Sequence, residues 1–147
     1  MKLILEKIPY RISESIHSVE WHWSEIACPY HYHSEVELVW IKKSRGRFTI
    51  GDYQGEFEKG DMYLIGSNIP HVFYNNKDHI PRSDSANLVV IQFSELFLGQ
   101  QAWRIPELLP IGNALHLAKN GIQLKPIACG KMAKLIDVFL TETPATR

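Results

Sequence analysis

Residues 31–41 read His31-Tyr32-His33-Ser34-Glu35-Val36-Glu37-Leu38-Val39-Trp40-Ile41, and the chain answers them later with Gly60-Asp61-Met62-Tyr63-Leu64-Ile65 and Ile69-Pro70-His71. A β-strand alternates its faces with period two, so an extended 31–37 segment puts His31, His33 and Glu37 on one side. The second stretch reads as a glycine turn, an apolar strand, and a histidine opening a further strand. Three imidazoles and one carboxylate form the ligand set of a mixed nitrogen and oxygen metal site. Glu35 shares the parity of Glu37 and could replace it if a bulge shifted the strand.

Working outward, short β-branched and aromatic runs alternate with turn signals as far as residue 94. Strands are expected at Ser18–Trp23, Glu35–Ile41, Arg47–Ile50, Tyr53–Phe57, Met62–Ile65, His71–Tyr74 and Leu88–Phe93. Gly51-Asp52 and Lys59-Gly60-Asp61 mark turns, and the polar stretch from Asn75 to Asn87 reads as a loop. Strands this short and regularly spaced indicate a sandwich or small barrel. Beyond residue 94 the period becomes helical. One helix is expected from Pro110 to a stop at Asn120-Gly121, and another from Pro126 with Met132, Leu135, Ile136, Phe139 and Leu140 on its apolar side.

Composition bounds the function classes. A chain of 147 residues is long enough for one domain with a sound core, and 45% hydrophobic against 22% charged is ordinary for a globular protein. Sixteen basic residues balance sixteen acidic ones, which leaves no electrostatic footprint for direct nucleic-acid binding. No window approaches the ~20 apolar residues needed to span a bilayer. The N-terminal apolar run is too short for a secretory signal, and Cys28 and Cys129 form no disulfide framework, so a reduced, cytoplasmic protein is expected.

The two stretches together resemble the two conserved boxes of the cupin superfamily, carried here by His31, His33, Glu37 and His71. The resemblance extends further. His31-x-His33-x-Glu35-x-Glu37-Leu38, Gly60 to Ile65, Pro70-His71, Val90-Ile91-Gln92-Phe93, Ile105-Pro106-Glu107 and Ala118 to Ile122, in that order, are similar to the N-terminal sensory half of AraC-type transcription regulators. It implies a mainly β, cupin-type double-stranded β-helix (a jelly-roll barrel) over residues 1–94, including an N-terminal arm. A helical extension over 95–147 would pack on the barrel, form a dimer interface, or both. It also implies a ligand-sensing and dimerisation domain: a small-molecule effector, plausibly a sugar or related metabolite, inside the barrel, a homodimer, and DNA contacted only through a C-terminal module not present in this chain. The chain ends at Thr143-Pro144-Ala145-Thr146-Arg147, where that family would continue.

His31, His33, Glu37 and His71 suit Zn, Fe, Mn or Ni; equally, they could line a polar pocket with no metal. Trp23 and Phe73 are candidates to stack on a ligand, and Arg47 and Gln92 to hydrogen-bond it, since pockets place a few polar groups in an apolar lining. Trp40, Phe48 and Tyr63 read as core. His17, His22, His79 and His116 are isolated and carry no assigned role. Cys28 and His31, three apart on an extended chain, face opposite sides. No nucleophile constellation is present and no catalytic residue is assigned. The string of segments similar to AraC-type regulators and the helical tail favour a sensor over the alternative of a stand-alone metal-dependent cupin enzyme, a dioxygenase or isomerase. A dimerisation module with a filled barrel ranks third.

Overall fold

A computed structural model describes residues 2–12, 14–75 and 85–142. Among the described residues the strands are β1 (Ile4–Leu5), β2 (Ile16–Trp23), β3 (His31–Tyr32), β4 (Val36–Lys43), β5 (Gly46–Ile50), β6 (Tyr53–Phe57), β7 (Met62–Ile65), β8 (His71–Tyr74), β9 (Ala86–Phe93) and β10 (Ile122–Gln123). Two helices follow the strand-rich part, α1 (Leu109–Leu117) and α2 (Pro126–Thr141). The strands form two five-stranded sheets, one in the order β1-β3-β8-β5-β6 and the other β10-β7-β4-β9-β2. All pairings are antiparallel except β1 with β3. This is the expected cupin fold, mostly β and followed by helices.

Strand β4 shows why its sequence is almost continuously apolar. Its odd-numbered residues Val39 and Ile41 enter the core between the sheets, with Ile26, Phe48, Phe57, Tyr63, Ile65 and Phe73. Its even-numbered Trp40 turns the other way and joins Met62, Val89 and Ile91 beneath α2, which supplies Cys129 and Ile136. A strand covered on both faces has no polar side to present. Burying a Leu- or Ile-sized side chain contributes about 1.5–3 kcal/mol, so both layers contribute to stability.

The turns follow the chemistry of their residues. Gly51 joins β5 to β6 with φ of 56°, a left-handed conformation that costs glycine little. The first helix has Pro110 in its opening turn and tightens at Ala118–Asn120 into a 3-10 turn that Gly121 ends with φ of 70°. Pro126 opens α2. Met132, Phe139 and Leu140 lie against the sheet. Leu135 and Val138 stay 66% and 59% exposed, so Phe139 and Leu135 do not share one role.

Gly66 ties the barrel to the extension. Its N–H donates to Ala118 O at 2.8 Å, and a Cβ there would fall 2.9 Å from Ala118 C and O and from Lys119 N. Backbone atoms cannot swing aside as a side chain can. Gly66→Ala is expected to destabilise by about 1–3 kcal/mol, read as an earlier chemical-denaturation midpoint; an unchanged midpoint would show that residues 118–119 yield freely.

Three features depart from expectation. The 31–37 segment is not one strand: β3 belongs to one sheet and β4 to the other, and the chain crosses between them at His33–Glu35. Strand β10 lies within the helical third and adds an edge to β7. The loop forecast for 75–87 is cut short at its end, because Ala86 and Asn87 already pair in β9. Residues 76–84, which include His79, and the terminal 143–147 lie outside the described residues.

Candidate metal centre

Four side chains converge where the two sheets approach each other. His31 and His33 come from β3 and the crossing that follows it, Glu37 from β4, and His71 from the start of β8, directly opposite His31 in register. One nitrogen or oxygen from each lies within 4.8 Å of all the others. His33, Glu37 and His71 are buried, while the His31 side chain keeps 12% exposure.

The histidines are oriented by the backbone. Each Nδ1 lies against a carbonyl: His31 with Pro29 O at 2.8 Å, His33 with Glu35 O at 3.1 Å, and His71 with Ile69 O at 2.7 Å. A carbonyl only accepts, so each Nδ1 carries the proton and each Nε2 is left for the interior. This outer shell is the one that fixes metal-ligating imidazoles. His33 Nε2 stands 2.9 Å from Glu37 Oε2, and His71 Nε2 3.4 Å from Glu37 Oε1. No hydrogen bond to His71 Nε2 exists among the described residues, although the atom is fully buried. A buried orphan acceptor is costly. A neutral imidazole that turns its lone pair toward a carboxylate is opposed by it, and a cation between them removes the opposition. The residues therefore fit a divalent transition metal with nitrogen and oxygen ligands.

The electrostatics follow from burial and close approach. Burial pushes the Glu37 carboxyl up, but His71 and His33 outweigh it and hold the group well below the usual carboxylate range. Burial disfavours charge on His71 as well, yet Glu37 prevails and raises it. His31 is lowered, chiefly by burial and then by His71. Gln92 completes the arrangement from β9, donating Nε2–H to Glu37 Oε2 at 2.7 Å.

A cavity of about 590 Å³ opens onto this cluster. Trp23, Phe73 and Gln92 line it, as do His31 and Glu37. Arg47 does not. It projects from β5 to solvent, 3.6 Å from Glu56 with both side chains well exposed, because its even place in Gly46–Ile50 alternates with the inward Phe48 and Ile50. Glu35 lies 3.7 Å from His33 Nδ1, the outer side of that ring. Cys28 and His31 both line the cavity rather than facing opposite ways, since Pro29 breaks the extended geometry that the spacing assumed. Burial, with the charges of Glu37 and Glu6, pushes the Cys28 thiol up to about 11, so it is no ready nucleophile.

Two cavity residues carried no sequence signal. Glu6 follows β1, which pairs with β3, and its Oε2 reaches 3.2 Å from His31 Nε2. His17, on β2, also lines the cavity. Neither sits in a motif, and only the strand pairing brings them there.

Residues 18–82 match the model of the Cupin domain family. Among solved structures, ToxT from Vibrio cholerae is similar in fold, with 12% identity over 84% of this chain and 48% of that one and a TM-score of 0.54. This chain thus spans about half the length of ToxT. A cupin 2 conserved barrel domain protein from Salinispora arenicola shows 14% identity over 66% of this chain and 79% of that one, with a TM-score of 0.48. Oxalate decarboxylase of Bacillus subtilis, a protein with Mn(II) centres, shows 20% identity over 70% of this chain and 29% of that one, with a TM-score of 0.45. No curated protein sequence matches the chain. No helix among the described residues is long and apolar enough to cross a membrane.

Proposed function

We propose that this chain is the ligand-sensing domain of an AraC-type transcription regulator. It binds a small metabolite in the cupin barrel beside a divalent metal held by His31, His33, Glu37 and His71. The observation that carries the reading is the cavity ending on a buried three-histidine, one-carboxylate cluster whose imidazoles are already oriented by backbone carbonyls. A metal there would act as a Lewis acid toward an oxygen of the bound molecule. The chain's own residues orient the ligand, exclude water and position Glu37 through Gln92.

The sensor reading also rests on the tail. The helix α2 is anchored to the barrel by Cys129, Ile136 and Phe139, yet presents Leu135 and Val138 outward. A two-fold contact between copies through Leu135 and Val138 would link the barrel to a DNA-binding part of the regulator. Ligand binding can shift such an assembly only if the two states bind the ligand unequally. Sedimentation of the protein at several concentrations tests this: a dimer that Leu135→Asp converts to a monomer supports the reading, and a monomer at all concentrations contradicts it.

The intact donor set favours a second reading, a metal-dependent cupin enzyme such as a dioxygenase or isomerase. Turnover of a bound metabolite by the metal-loaded protein would favour it; stoichiometric binding without conversion favours the sensor. Under either reading Gln92→Leu removes the hydrogen bond that steadies Glu37. It is expected to weaken metal affinity by about 10–100-fold in competition with a chromogenic chelator, and unaltered affinity would exclude Gln92 from the site.

A further inference from the structure

The inner face of the second sheet changes character one row away from the donor cluster. Strand register sets His17, Gln92 and Glu37 side by side across β2, β9 and β4. The next row inward is Val19, Val90 and Val39, and beyond it Trp21 pairs with Leu88 and Trp23 with Ala86. The polar row and the valine row both line the cavity, as do Leu88 and the two tryptophans. Trp21 and Trp23 stack at 5.0 Å with planes 20° apart. The face this sheet presents to the cavity is thus polar at the His17–Gln92–Glu37 row and aliphatic or aromatic beyond it, while Glu6, Lys7 and Glu25 line the cavity from the segments that follow β1 and β2.

His17 is the polar residue of β2 on this face. Its ring meets the edge of Tyr10 at 6.4 Å, and it makes no hydrogen bond among the described residues. An imidazole in that position is available to a ligand oxygen. A polyol would bring hydroxyls against the valine row and Leu88, whose side chains return none of their lost hydrogen bonds with water.

We propose that the cavity takes an amphipathic organic acid: an oxygen-bearing anionic head at the His31, His33, Glu37 and His71 cluster, hydrogen-bonded by His17, and a flat apolar body over the valine row and the Trp21–Trp23 pair. This rests on the metal-bound sensor reading and names the class of its ligand. It makes His17 a residue that selects the head group.

Titration calorimetry of the metal-loaded chain with three probes tests it: phenylpyruvate, with head and body; pyruvate, with the head alone; and D-arabinose, a polyol. Phenylpyruvate should bind at least tenfold more tightly than pyruvate and quench tryptophan fluorescence, with arabinose giving no heat. His17→Ala should weaken phenylpyruvate at least fivefold with metal content unchanged, and His17→Gln should restore part of the loss. Pyruvate binding as tightly as phenylpyruvate, arabinose binding more tightly than either, no binding of any probe, or an indifferent His17→Ala would overturn the proposal. Metal content, measured on the same sample, separates the two levels: a protein that takes up no metal loses the reading beneath, whereas a metal-loaded protein with the wrong probe order loses only this inference.

Discussion

Replacing His71 or His33 by alanine is expected to lower affinity for the bound metal by at least about 100-fold, so that the purified variants carry almost none. Changing a residue that merely supports a ligand costs about 10–100-fold, and each of these two supplies a donor itself. His71 Nε2 is fully buried without a hydrogen bond among the described residues, and its Nδ1 is committed to Ile69 O. His33 is arranged in the same way, with Nε2 at 2.9 Å from the Glu37 carboxylate. In His71→Ala, Glu37 keeps its hydrogen bond from Gln92, so its carboxylate is not stranded. His22→Ala is the control, since that side chain is 67% exposed and is not one of the four clustered residues. Equal metal content in wild type and both site variants would remove these residues from the centre.

The second large effect is in the core. Phe57→Ala should destabilise the protein by about 3–5 kcal/mol, the range for deleting a buried aromatic ring. Phe57 is 1% exposed at the end of β6, and its ring meets Phe73 at 5.8 Å. Phe73 in turn touches Phe48 and Tyr63 and lines the cavity. The loss should therefore reach the ligand as well as the midpoint of unfolding. Chemical denaturation with an unchanged slope would report the effect as stability. A loss under about 1 kcal/mol would mean that the rings repack and that the wall of the cavity is plastic.

What the sequence disclosed follows from which interactions are local. Strands β5 to β8 were legible because alternation and turn residues are encoded within a few positions, as at Gly51 and Gly60. The two-residue strands β1, β3 and β10 were not, since so short a segment is a strand only through the partner it meets. The four residues of the candidate cluster were legible as residue types at a spacing, though the reason offered for their convergence was incomplete. His31 and Glu37 share a site because the chain crosses between sheets, not because they share a strand.

The cavity was only partly readable. Trp23, Phe73 and Gln92 line the cavity, whereas Arg47 was misplaced because a lone polar residue in a strand has two readings and its place next to the inward Phe48 sends it to solvent. Glu6 and His17 depend on pairing between segments far apart in the chain, which no local pattern carries.

The most direct test of the account is the metal content of the protein prepared without an affinity tag and offered Mn, Fe, Ni and Zn separately before exhaustive buffer exchange. The account predicts about one equivalent retained per chain for at least one of these metals, lost in His71→Ala. A wild-type protein that retains none of the four would contradict it.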